Sequence, residues 1–154
     1  MIIALMATIG VAGCGSSPTR ESPKESIEPV FAADYLESFQ EVRDCRFSSS
    51  HPGMIRVLVN EVGAAAYLND ESPLPEGTIV LKEVFDGQSC QEYEELGVWS
   101  VMRKEAAGFD SDDGDWHWQD VSPDRTVLND TKARCISCHQ KDECVTRDYM
   151  CATQ

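Results

Sequence analysis

Positive charge is scarce in this chain: 13 Lys and Arg stand against 27 Asp and Glu among 154 residues, a formal net charge of −14. Such a surface repels phosphate backbones and anionic headgroups. That argues against nucleic acid as a partner and leaves a basic protein, or a small neutral or cationic substrate. Histidine is scarcer still, with only His51, His117 and His139. No apolar stretch reaches the roughly 20 residues a membrane-spanning helix needs. No internal repeat is visible, which excludes a solenoid or propeller. The length allows one domain with one core, and a hydrophobic content of 42% supplies that core.

The longest apolar run, Ile2 to Val11, ends in Ala12, Gly13 and Cys14 and reads as the apolar part of a secretion signal. Val11-Ala12-Gly13-Cys14 resembles a bacterial lipobox, in which cleavage precedes a Cys that is then acylated. No Lys or Arg precedes the run, a departure from signal anatomy. Gly15 after the Cys fits sorting to the outer membrane. The expectation is a signal over residues 1–13, lipidation at Cys14, and a periplasmic protein attached to the membrane by lipid alone. Residues 14–29, rich in Ser and Pro, read as a flexible tether, and residues 30–154 as the folded domain.

Seven cysteines are present. Cys135-Ile136-Ser137-Cys138-His139 is C-x-x-C-H, the spacing at which two thiols add to haem vinyl groups and the adjacent imidazole ligates the iron. The rival readings are a redox dithiol, a zinc site or a disulfide. A thioredoxin-like pair follows a strand early in a βαβ unit, whereas this one is near the C-terminus. A zinc site needs four ligands, and Cys144 with a distant His gives only irregular spacing. With one cysteine assigned to lipid and two to haem, Cys45, Cys90, Cys144 and Cys151 remain, an even number that suits disulfides in an oxidising compartment. Connectivity is not readable. Cys144 and Cys151 are close enough in sequence to pair, which would leave Cys45 with Cys90; buried free thiols are the alternative.

Apolar residues at Phe31, Tyr35, Leu36, Phe39 and Val42 recur at helical spacing and predict a helix ending near Cys45. Met54–Val59 alternates and predicts a strand; Glu61–Leu68 predicts a short helix capped by Asn60. Thr78–Phe85, Gly97–Lys104 and Trp116–Val121 predict further strands. Helices flanking a run of strands imply an α+β domain built on an antiparallel sheet. The tract Asp110–Asp115 places Gly114 at position five, where a calcium loop needs it at six, so it reads as a solvated loop. Nothing marks a sixth iron ligand: Met54, Met102 and Met150 read as packing residues. Phe85, Phe109 and Trp118 are candidates for the lining of a distal pocket.

Beyond the haem motif, Leu74-Pro-Glu-Gly-Thr-Ile-Val-Leu-Lys82-Glu83 resembles the P-x-G-T-x-x-x-K-E strand of cytochrome P-460 and the related cytochrome c′-beta proteins. The closing run CISCHQKDECVTRDYM, the strand around Asp115-Trp116-His117-Trp118, and RVLVNEVGAAAYL are similar to that family in order and spacing, from about residue 45 to 151. The resemblance implies an antiparallel sheet with helices, a homodimer and a five-coordinate haem c that oxidises hydroxylamine or nitric oxide, or binds nitric oxide. It implies that Lys82 holds the position of a Lys crosslinked to the haem edge in catalytic members, with a separate cytochrome accepting electrons. It also implies a carboxylate soon after the axial His, for which Asp142 and Glu143 are candidates. The segment from His139 to Asp148 is longer than in familiar members and carries the extra Cys144, so the carboxylate's place is open. A lone Lys in an apolar strand is otherwise an ion-paired or solvent-facing residue, and two acids in a polar turn are otherwise surface charge. The rival function is a plain electron-transfer cytochrome with a Met or His sixth ligand.

Overall fold

The computed structural model describes residues 26–91 and 95–151. The expected signal, Cys14 and most of the tether lie outside them. Six strands form one antiparallel sheet in sequence order: β1 Phe39–Ser48, β2 Gly53–Asn60, β3 Ile79–Phe85, β4 Leu96–Lys104, β5 Trp116–Val121 and β6 Val127–Asn129. Among the described residues, three short α-helices accompany it, α1 Ala64–Leu68, α2 Ile136–His139 and α3 Asp142–Val145. This is the expected α+β architecture.

Alternation along the strands gives the sheet two faces. On one, Leu58, Leu81, Trp99, Val101 and Val121 pack under Phe31 and Tyr35. On the other, Val59, Val80, Met102 and Trp118 lie in one cross-strand row and pack against Tyr67, Leu74 and Met150. The next row on this second face is Val57, Lys82, Ser100 and Asp120.

Two expected elements are corrected. No helix covers Phe31–Val42: the chain makes a single 3-10 turn at Tyr35–Glu37 and then enters β1. The four-residue spacing of Phe31 and Tyr35 is real, but it seats both rings edge-on against Trp99. Register shifts between Glu41 and Arg43, and between Arg43 and Arg46, blur the alternation that would have marked the strand. The second helix is only Ala64–Leu68, and Asn60 does not cap it. The Asn60 side chain instead donates to the Gly77 carbonyl at 2.9 Å and accepts from Ile79 N at 3.0 Å, tying the end of β2 to the start of β3. Strand β6 carries no readable signal because it has three residues.

Candidate functional site

The second sheet face, the β1–β2 hairpin and the C-terminal segment enclose a cavity of about 860 Å³. That volume is within the range of roughly 300–1,000 Å³ typical of ligand and cofactor sites. Cys135, Cys138 and His139 line it, brought there by α2. Both thiols are free, and Cys135 packs against the same core as Trp118 and Met102. Burial, with help from Asp120, pushes the Cys135 thiol up to about 11. A redox dithiol needs a depressed thiol pKa, so this microenvironment disfavours that reading.

His139 is oriented from two sides. Its Nδ1 donates to the Tyr149 carbonyl at 2.7 Å, and its ring meets Trp118 edge-on with centroids 4.9 Å apart. Committing Nδ1 to a carbonyl fixes the tautomer and leaves Nε2 as the nitrogen free to ligate a metal. Burial lowers the His139 pKa, partly offset by that carbonyl, so the imidazole is held neutral, as a metal ligand must be.

The acidic tract has a task that sequence reading missed. Lys132, three residues before Cys135, is ion-paired with Asp113 and with Asp110, the latter at 2.6 Å. Gln140, directly after His139, donates to Asp113 at 3.0 Å. These bonds hold the Asp113 carboxyl below its ordinary pKa. Buried Asp113 therefore brackets the C-x-x-C-H motif from both ends; the loop is a clamp and not merely solvated. Among the described residues, no group of His, Cys, Asp and Glu is arranged to hold a metal ion by itself.

Lys82 lines the cavity, in register with Val57 on β2 and Ser100 on β4. Burial first, and then the Arg43 guanidinium, lower its pKa to about 8, while Cys135 acts in the opposite direction. Both candidate carboxylates are exposed; Glu143 is at the cavity wall and Asp142 is outside it. Asp120, which the sequence reading did not single out, also lines the cavity and accepts a 2.9 Å hydrogen bond from Ser100. Its signal was the alternation of Trp116, Trp118 and Asp120 on one face.

Of the proposed pocket aromatics, Trp118 lines the cavity on the side of His139, Phe85 belongs to the opposite core, and Phe109 is exposed beside His117. Met102 and Met150 line the cavity, and Met54 packs against the other core. His51, in the β1–β2 turn, also lines it. Burial, then Lys82 and His139, hold its pKa down at about 4. Cys45 is bonded to Cys90, and Cys144 to Cys151.

The cavity inverts the charge of the molecule. Arg43, Arg46, Lys82, Arg134 and Lys141 line it against three acids, Asp86, Asp120 and Glu143. Arg43 Nε and Trp118 Nε1 are buried there and meet no hydrogen-bond partner among the described residues. A porphyrin fits this donor set. Two thiols and an imidazole sit at one wall, an apolar sheet face provides the floor, and surplus guanidinium charge suits propionates.

The family model for Cytochrome P460 matches residues 33–151, most of the chain. No curated protein matches it.

Proposed function

The chain belongs to the cytochrome P460 family and is a c-type haem protein of that family, and from this premise we propose that it carries one haem bound through Cys135 and Cys138 with His139 as axial ligand. We propose that its open face takes a small nitrogenous ligand, with oxidation of hydroxylamine or nitric oxide, or binding of nitric oxide, as the activity. The observation that carries the reading is the convergence of two free thiols and a tautomer-fixed imidazole on one wall of a cavity of about 860 Å³.

The haem supplies a redox-active iron able to bind such a ligand. The chain supplies the rest. Asp113 and Tyr149 hold the attachment helix and the axial imidazole. Lys82 presents an amine that burial keeps partly neutral and so nucleophilic, at the position of the crosslinked Lys of catalytic members. We propose Glu143, at the wall, as the carboxylate that accepts protons from a hydroxylamine-like substrate, with Asp120 beside Ser100 as a second. Asp142, outside the cavity, is left with its surface role.

The Cys45–Cys90 and Cys144–Cys151 bonds support an oxidising compartment, and with it the periplasmic, lipid-anchored reading through Cys14. A homodimer and a separate electron-accepting cytochrome complete the proposal.

One observation favours the electron-transfer alternative: His51 is a neutral, cavity-facing imidazole, chemically able to serve as a sixth ligand. An absorption spectrum separates the two. The proposed activity expects a high-spin ferric haem that binds nitric oxide, and a crosslink adds a red-shifted ferrous Soret band that Lys82→Ala abolishes. A low-spin spectrum indifferent to nitric oxide selects the alternative. Colourless protein from a maturation-competent host, with Cys135 and Cys138 unmodified by mass, overturns both.

A further inference from the structure

Cys144, between the haem motif and the C-terminus, lines the cavity but takes no part in the chemistry proposed for it. Its partner Cys151 closes a loop of sequence separation 7, and inside that loop lies Tyr149, whose carbonyl accepts the hydrogen bond from His139. The backbone that aims this carbonyl is unusual. Asp148 and Tyr149 both adopt positive φ, 53° and 68°, a conformation that non-glycine residues hold only where surroundings enforce it.

The enforcing contacts are present on three sides. The buried Asp148 carboxylate takes the Lys104 ammonium at 2.7 Å and the Leu74 amide at 2.8 Å. Lys104 also donates to the Gly114 carbonyl at 2.8 Å and lies over the Trp116 ring. The Tyr149 hydroxyl donates to the Asp112 carbonyl at 3.0 Å. The disulfide ties Cys144, on α3 and 1% exposed, to Cys151 just past the reversal.

We infer that residues 144–151 are a proximal strap, in which the Cys144–Cys151 disulfide and the Asp148–Lys104 pair fix the Tyr149 carbonyl and so set the ligand strength of His139. The inference rests on His139 being the axial ligand. A carbonyl held on Nδ1–H draws that proton away from the ring and makes Nε2 more basic. A more basic imidazole binds iron more strongly and favours its ferric state. Loosening the strap weakens that hydrogen bond and both consequences. Lys104 and Asp148 act through His139 as positioning residues.

The test compares holoproteins. Cys144→Ser with Cys151→Ser is expected to lower and broaden the iron–imidazole stretching band in the ferrous resonance Raman spectrum. The same variant should raise the reduction potential. Asp148→Asn and Lys104→Met, which leave every cysteine in place, should shift both readouts in the same direction. Cys45→Ser with Cys90→Ser, which breaks the bond remote from the strap, should leave both at wild-type values. If the cysteine variant fails to load haem, the two charge variants decide. Variants that load haem and reproduce the wild-type band and potential overturn the strap while leaving the haem reading intact. A colourless wild-type protein overturns both.

Discussion

Lys82 faces the cavity because of the residue that follows it. Glu83 is completely buried on the opposite face, where it receives the Tyr35 hydroxyl and the Arg56 guanidinium, with Trp99 donating to Tyr35 at 3.3 Å. A carboxylate so paired cannot rotate out, since stranding either charge would cost about 3–5 kcal/mol. Strand alternation then turns Lys82 inward. At about 8, its pKa leaves roughly a tenth of the amine neutral at pH 7, far more than an ordinary Lys near 10.5. The unfolded chain holds the Lys82 proton across the window from about 8 to 10.5 and the folded chain does not, so this residue makes stability rise with pH there. In protein made without haem attachment, acylation of Lys82 should therefore rise with a midpoint near pH 8. Peptide mass spectrometry reads the profile, and a midpoint near the ordinary Lys value of about 10.5 would remove the buried-amine argument. The C-x-x-C-H motif was legible because its chemistry is local. Asp120 and His51 were not: alternation places Asp120 with Trp118, but only the folded register says that this is the face Lys82 shares.

At the scale of elements, the strands were readable where alternation was uninterrupted, as in β2 to β5. They were not readable where an edge strand is bulged, as in β1, or too short, as in β6. The helix expected over Phe31–Val42 failed because helical spacing also serves a turn that drops two rings into a core. The acidic tract shows the same kind of limit. Its composition says only that it is charged; its task depends on Lys132 and Gln140 arriving from 19 and 27 residues away to meet Asp113. Replacing Asp113 by Asn keeps the shape and removes the charge that both partners use. The expected result is a loss of about 1.5–3 kcal/mol in stability, the range for a hydrogen bond to a charged group. Haem per polypeptide should also fall, because the ends of α2 are no longer bracketed. Denaturant titration and the ratio of Soret to protein absorbance test it; an Asp112→Asn control, outside the bracket, should change neither. An Asp113→Asn protein with full stability and full haem would show the clamp to be incidental.

For the whole molecule, the net charge of −14 and the cationic cavity answer to different partners. Five cations and three acids line the cavity, a surplus that a porphyrin's pair of propionates would cancel. The loaded site would then present no local charge of its own, and the field felt by an approaching redox partner would be that of the acidic surface. This field acts over the Debye length, about 10 Å at 0.1 M salt. Oxidation of the reduced holoprotein by a small cationic metal complex should thus slow several-fold as salt rises from about 10 mM to 500 mM, while an anionic complex of similar potential should react faster. Stopped-flow measurement at the Soret band gives both slopes. Slopes of opposite sign to these would mean that the haem edge opens through a basic window, and the proposed electron-accepting cytochrome should then be sought among acidic proteins instead of basic ones.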